Sequence, residues 1–480
     1  MNILQNKIIV GEESYKEQNF EKVDKPIAIN QSIYGNNTTL SSTSWWKPST
    51  TGNKRIMICG TYPIGTSNGY SKVVYYISKY LGVNEDIDLT IYGFQNFANT
   101  IGASIRNDIP KRVKLHDAYA TENPKRNGFG EVEIIKFLKE NPQDIIIIFN
   151  DNIITSAITN NIMNECGSER HNFKLVSYMD QVYPYQKKSY IELLNKHFDA
   201  IIAFTPYWAE IARKLGIKES IPIYTFPHGF DEKLYYPVPM KLCRMYYGFD
   251  QDAFMVLNLN RNQPRKRWDI TIQAWAEFVE RHYQVNVKNV KGDFKVNKWT
   301  KRPIKLVVGT QMDGFWDLMD VLENECKFRD VPFEYAKETI QPVSMPQQLS
   351  DRDINILYNA CDITANTCDG GGFELQGAEG AGIGKAQVSS YVGGIQEYLN
   401  QQNGIPIIPT MKIYLDNKSA GIGGKAELCH PHDFAEGFWR YFSNPELMDK
   451  HGKKARENIL INYKWDNIIE YFYKTIIPKL

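Results

Sequence analysis

Arg55-Ile-Met-Ile-Cys59, then Gly60-Thr-Tyr-Pro-Ile-Gly65-Thr-Ser-Asn-Gly69, then a segment over 70–81, form the stretch on which the fold turns. The first piece is a short apolar run of the length of a buried strand. The second is a loop carrying three glycines. In the third, Val73, Val74, Ile77 and Leu81 recur at helical spacing. Strand, glycine loop and helix in that order make one unit of an α/β protein. Strand-like runs follow over 88–92, 144–149, 174–178 and 200–204, with helical patterns over 131–138 and 207–215. A second series begins after Pro237 and Pro239. It has strands over 254–259, 305–308, 363–365 and 386–390, and helices over 269–281, 353–360 and 376–382. Strands alternating with helices imply parallel strands joined by helical crossovers, hence doubly wound sheets. In a pair of such sheets, ligands lie at the carboxyl ends of the strands, in the cleft between them.

The chain of 480 residues accordingly divides into three parts. Residues 1–53 form an N-terminal extension that is poorly ordered or wraps the surface, since 30–53 is rich in Asn, Ser, Thr and Gly and lacks a period. Adjacent Trp45 and Trp46 are expected to dock it. Residues 54–240 form one Rossmann-like domain and 241–463 the other. The insertion over 283–302 reads as a surface hairpin or extended loop. Trp275, Phe278, Phe438, Trp439, Tyr471 and Phe472 fall at helical spacing and read as core aromatics.

Lys and Arg number 56 against 55 Asp and Glu, a net charge of +1, so no bulk field attracts a polyanion and nucleic acid is not an expected partner. The apolar run at 145–149 is far short of the roughly 20 residues that span a bilayer, and the start of the chain lacks a signal-peptide core. The expectation is a soluble, cytoplasmic protein without a transmembrane segment. Seven cysteines with no C-x-x-C pair read as reduced thiols. Cys429-His430-Pro431-His432 is the only local cluster of metal-ligand types, and with no further ligands spaced for it no metal is expected.

Two segments carry chemistry. Asn366-Thr-Cys-Asp-Gly370-Gly-Gly-Phe-Glu-Leu375-Gln-Gly-Ala-Glu379 runs from a strand end through three glycines into a helix, which gathers backbone N–H groups where a phosphate can bind. Arg261-Asn-Gln-Pro-Arg265-Lys266-Arg267-Trp-Asp269 lies between another strand and helix, where an arginine fork and a lysine point charge can neutralise a diphosphate.

Taken together, these segments resemble the retaining GT-B glycosyltransferases of family 4, the group 1 glycosyltransferases. The resemblance rests on the basic stretch 260–269, on 349–362, on Gly371-Gly372-Phe373-Glu374-Leu375 with Glu379, on Val392-Gly-Gly-Ile-Gln-Glu397, and on Pro227-His-Gly-Phe-Asp231. It extends from about Lys54 to Trp465 in the expected order. It implies a GT-B fold, with two Rossmann-like domains facing across a cleft, the first binding the acceptor and completed by a C-terminal helix over 464–480, the second binding the donor. The implied reaction moves a sugar from a nucleoside-diphosphate donor, UDP- or GDP-linked, to a hydroxyl of a glycan, protein, lipid or small molecule, with retention of configuration. No cofactor or metal is expected beyond the nucleotide sugar. The oligomeric state is left open.

Carried over position by position, Arg261 and Lys266 would pair with the donor diphosphate. The backbone of Gly371, Gly372, Phe373, Glu374 and Leu375 would face sugar and phosphate, and Glu379 would accept from the ribose hydroxyls. Gly65, Gly69 and Tyr70 would approach the diphosphate from the first domain, with Asp180 near the reacting sugar. One departure stands out: the resemblance calls for a second glutamate eight residues before Glu379, where this chain has Gly371. Glu374, at a spacing of five, is expected to project from another side of the turn, and Asp369 is the candidate to reach the sugar instead. The competing reading is a nucleotide-sugar-binding regulator or scaffold with impaired catalysis. His228 is expected to satisfy its own loop's backbone.

Overall fold

The structure, a computed structural model, describes residues 44–64, 68–97, 106–288, 296–344, 348–415 and 424–480. Two parallel sheets organise it. The first comprises β1 (Lys54–Thr61), β2 (Ile87–Phe94), β3 (Lys114–Asp117), β4 (Ile145–Asn150), β5 (Lys174–Met179), β6 (Ala200–Ala203) and β7 (Ile223–Thr225), in the spatial order β3-β2-β1-β4-β5-β6-β7. The second comprises β8 (Phe254–Asn258), β9 (Ile304–Gly309), β10 (Ile340–Val343), β11 (Ile363–Asn366), β12 (Ala386–Ser390) and β13 (Ile405–Ile407), in the order β10-β9-β8-β11-β12-β13. Every pairing within both sheets is parallel. A separate antiparallel pair, β14 (Met411–Tyr414) and β15 (Lys425–Leu428), completes the set.

The central strands are apolar on both faces because helices cover both. All six residues of β4 and all five of β8 are buried. The helix Gly69–Leu81 starts where the Asn68 side chain accepts from the Ser71 N–H at 2.8 Å and Ser71 reciprocates, and it buries Val73, Val74, Ile77 and Leu81 as their spacing predicts. Trp275, Phe278, Phe438 and Trp439 interdigitate between the helices Trp268–Asn286 and Pro431–Phe442. Phe472 stacks on Phe226 with ring centroids 4.6 Å apart. Tyr471, expected in the core, is 47% exposed instead.

Over residues 44–53 the two tryptophans dock as expected: the Trp46 indole N–H donates to the Gln143 carbonyl at 3.0 Å and its ring lies under the Arg55 guanidinium, while Trp45 packs on the core beside the first sheet. The remainder of the extension, 1–43, lies outside the described residues. One further expectation needs correction, that for the insertion over 283–302. It is not a hairpin at its ends. Val285 still falls on the buried face, so the helix continues to Asn286, and Lys298–Lys301 is a short turn capped by Asn297. Residues 289–295 are outside the described set.

The chain passes between the sheets twice. After β7 it reaches the helix Met240–Tyr247, which packs on Asp351–Ala360 of the second half. Near the end, the helix Pro445–Asn462 packs on β12, whereas the next helix, Trp465–Tyr471, lies against Gly69–Leu81 of the first half. The passages meet at a backbone bridge between Phe230 and Lys464. There Trp465 stacks on Tyr76, and a Cβ on Gly229 would lie 2.5 Å from the Trp465 indole.

All seven cysteines are buried free thiols. Among the described residues no helix is long and apolar enough to cross a membrane.

Candidate active site

In each sheet the strand order reverses once, between β1 and β4 and between β8 and β11. At such a reversal the loops leaving neighbouring strands diverge and open a crevice. The loop after β8 carries Arg261, Arg265 and Lys266. The loop after β11 carries the glycine run and leads into the helix Leu375–Ile383. Both face the first-half residues Tyr70, Lys72, Asp180 and His228 across one cleft.

The glycine run is dictated by crowding. A Cβ on Gly372 would lie 2.7 Å from the Phe204 ring and 2.9 Å from an Asp180 carboxylate oxygen. The Gly372 carbonyl accepts from the Trp208 indole N–H at 2.7 Å, and the Gly371 carbonyl accepts from the Gly394 N–H at 3.0 Å. The turn is thus clamped by one element from each half. Phe373 is buried beside His228, Tyr398 and Tyr463. From Leu375 the chain is helical, and the first N–H groups of a helix have no partner within it. At Gly69 the expected crowding is missing from the protein itself, since a Cβ there would meet only Leu375 Cδ1 at 3.7 Å, an ordinary contact. Gly65 lies outside the described residues.

Charges in the cleft are paired across long stretches of sequence. Glu374 accepts from the Arg265 guanidinium at 2.8 Å and from the Lys266 ammonium. Burial opposes its charge, yet Lys266 and Arg265 outweigh that and hold its carboxyl at about 2. For Arg265, burial is likewise outweighed by Glu374 and the pKa is raised. Lys266 is pulled below its usual value by burial and by Arg265. Arg261 lines the same cleft, its pKa lowered by burial and by Arg265. Glu379 receives the Lys72 ammonium at 2.6 Å, and Lys72 also reaches the Tyr235 hydroxyl at 2.7 Å and Asp351 at 3.4 Å. Asp180 accepts from the Tyr70 hydroxyl, while burial raises its pKa.

Four sequence expectations are corrected here. Glu374 does not project away from position 371: its backbone is left-handed, φ 59°, and turns the side chain back over Gly371. Gly371 therefore lies beneath a side chain and does not line the cleft. Asp369 does not reach the cleft either. Its carboxylate accepts from the Tyr183 hydroxyl at 3.0 Å, and both backbone groups are used, N–H to Arg265 and carbonyl from Glu427. His228 does not serve its own loop. It is buried among Phe149, Tyr178, Phe204 and Phe373, its Nε2 has no hydrogen-bond partner among the described residues, and burial lowers its pKa to about 3, so the ring is neutral.

Sequence reasoning passed over Lys72, Arg265 and Asp351 as site residues. Lys72 lies one turn after Gly69, on the stripe that faces the cleft, and Arg265 lies beside Lys266; those spacings were the available signals. The Cys429–His432 cluster disperses. Cys429 is buried against the Ile407 carbonyl, His430 caps its helix, and His432 pairs with Glu277. Glu277, His432 and Glu436 do come together, but Arg281 sits 2.6 Å and 2.5 Å from the two carboxylates and places its positive charge where a cation would lie.

No protein-family model matches the chain, and no curated protein matches it by sequence. Solved structures do match it by shape. A sucrose-phosphate synthase from Thermosynechococcus elongatus covers 89% of this chain and 100% of its own, at 14% identity and a TM-score of 0.64. HepE from Anabaena, solved in complex with UDP and glucose, covers 89% and 100% at 14% identity and a TM-score of 0.60. A glycosyltransferase from Rickettsia africae covers 89% and 100% at 15% identity and a TM-score of 0.61. The chain has the architecture of these proteins, the GT-B fold of two Rossmann-like domains on either side of a cleft.

Proposed function

We propose that this chain is a GT-B glycosyltransferase that moves a sugar from a nucleoside-diphosphate donor to a hydroxyl acceptor with retention of configuration. One observation carries the reading: Arg261, Arg265 and Lys266 converge with the start of the helix Leu375–Ile383 at the strand reversal of the second sheet. Cations and helix N–H groups gathered at one point suit a diphosphate, and they stabilise the charge that grows on it as the glycosidic bond breaks. The neighbours of like fold agree with this, since HepE was solved with UDP and glucose. UDP is accordingly the first nucleotide to test.

Glu379 would take the ribose hydroxyls, exchanging its Lys72 partner for them or sharing it. His228, neutral and with a free Nε2, would meet a sugar hydroxyl, and Asp180 with Tyr70 would lie at the reacting face. In a retaining transfer of this kind the acceptor hydroxyl attacks from the side on which the diphosphate leaves. The bond from the anomeric carbon to the acceptor oxygen forms as that to the phosphate oxygen breaks, and the hydroxyl proton passes to the departing phosphate.

Thermal-shift titration against UDP-, GDP- and ADP-sugars tests binding. A ligand at about 100 times its dissociation constant stabilises by roughly 2.7 kcal/mol. Release of free nucleoside diphosphate during incubation then tests turnover. Binding without release under any acceptor condition would favour the regulator or scaffold, and no stabilisation by any of the three would sink the nucleotide reading.

A further inference from the structure

Glu374 combines two unfavourable features. It holds a left-handed backbone, φ 59° and ψ 71°, that non-glycine residues rarely adopt, and its charged side chain is only 5% exposed. The first explains the place of the second. The left-handed turn sends the side chain back across Gly371, and a Cβ at 371 would lie 2.5 Å from Glu374 Cγ and 2.6 Å from Oε1. A glycine at 371 is therefore the space in which the carboxylate lies. From there its two oxygens engage different cations, Oε1 the Arg265 guanidinium and Oε2 the Lys266 ammonium. Two of the three cations at this end of the cleft are thus shared with an anion that belongs to the protein.

We propose that Glu374 is an internal counter-anion of the phosphate site, which shares Arg265 and Lys266 with a bound diphosphate and so limits how tightly the nucleoside diphosphate product is held. This rests on the nucleotide-sugar reading above. A diphosphate esterified to both nucleoside and sugar has no terminal phosphate. Once the sugar leaves, it has one, whose second ionisation near 6 adds up to about one negative charge at neutral pH. Three unpaired cations would hold that product more tightly than the donor. A fixed carboxylate among them removes part of the attraction and repels the added charge, which favours release. Glu374 is in this sense a positioning and release residue, acting through Arg265 and Lys266.

The test is calorimetric titration of UDP, GDP, ADP and UMP into the full chain, wild type and two variants, with steady-state product inhibition alongside. Glu374→Gln keeps the shape and removes the charge. Gly371→Ala keeps the charge but displaces the carboxylate, because its new methyl occupies the place of Cγ. Both are expected to bind the preferred nucleoside diphosphate about tenfold or more tightly, the scale of a charged hydrogen bond regained. The monophosphate should gain less, and product inhibition should deepen. A part that is merely structural would weaken binding or leave it unchanged, and either result in a folded variant overturns the proposal. Should Glu374→Gln fail to fold, Gly371→Ala decides alone. If wild type binds none of the nucleotides, the nucleotide reading fails and takes this proposal with it; if wild type binds and the variants do not tighten, only this proposal fails.

Discussion

Lys72 Nζ lies 2.6 Å from Glu379 Oε1, so a lysine on the first sheet's helix is tied to a glutamate on the second sheet's helix across the cleft. Both side chains are largely buried, and Lys72 also reaches Asp351 and Tyr235. Removing the ammonium leaves two carboxylates without it. Lys72→Met is expected to cost about 3–5 kcal/mol, the scale for breaking a buried ion pair from one side. Adding Glu379→Gln should recover much of the loss. Urea denaturation of the single and double variants measures both, and a near-neutral single variant would show that the pair does not hold the halves together.

Glu374 and Asp369 should drive opposite pH responses. Glu374, whose ordinary value is 4.5, is held at about 2 once Lys266 and Arg265 outweigh burial. The folded state thus prefers it ionised. Its contribution to stability is complete above about pH 4.5 and is lost as pH falls toward 2. Asp369, ordinarily 3.8, is pushed by burial to about 6. The folded state prefers it protonated, so its contribution is complete below about pH 3.8 and is lost as pH rises through 6. Denaturation midpoints between pH 2 and 7 should show Glu374→Gln flattening the acid limb and Asp369→Asn flattening the change between 4 and 6. The same slope in both variants as in wild type would contradict the assignments.

Trp208 holds the glycine turn from the opposite half through its indole N–H, 2.7 Å from the Gly372 carbonyl. Trp208→Phe keeps an aromatic side chain, though a smaller one, and leaves that buried carbonyl without its donor, at about 1–3 kcal/mol for the lost bond alone. Because the carbonyl belongs to the turn at the proposed sugar position, turnover should fall more than nucleotide affinity does. Equal losses in kcat and in UDP affinity would place the effect in global stability.

His228 should leave no mark on the pH profile. Burial holds its pKa at about 3, so the imidazole stays neutral throughout the working range. Between pH 5.5 and 8, kcat/KM for His228→Asn is expected to run parallel to wild type at a lower level. A limb near pH 6.5 present in wild type and absent in the variant would show that the ring titrates there.

What the sequence made legible follows from where water is excluded. Strands β1, β4 and β8 lie in the middle of their sheets with both faces covered, and each carries an almost unbroken apolar run, whereas β11 and β12 are as deeply buried but mix in Thr, Asn, Gln and Ser. β3, β7 and β10 are short edge strands with half-exposed residues such as Leu115, Tyr224 and Gln341, and their pattern fades into that of loops. The helix Asn152–Cys166 was hidden by its Asn and Thr residues. In the cleft, Arg261, Lys266 and the glycine run are local features and could be read. The pairing of Lys72 with Glu379 joins residues 307 apart, and the direction of Glu374 depends on one backbone angle that spacing rules take to be helical. Side-chain spacing gives the side of a regular helix; it gives nothing for the residue that precedes one.

The bridge between Phe230 and Lys464 makes the two passages of the chain neighbours. Two tethers far apart would confine one half to rotation about the line that joins them. Two tethers side by side act as a single pivot, with the Trp465 indole wedged against Gly229 as its pin. Separation of the halves should then resemble the opening of a clamshell, with displacement growing with distance from residues 229 and 465. Smoothness of that stroke would depend on a glycine that does not line the cleft.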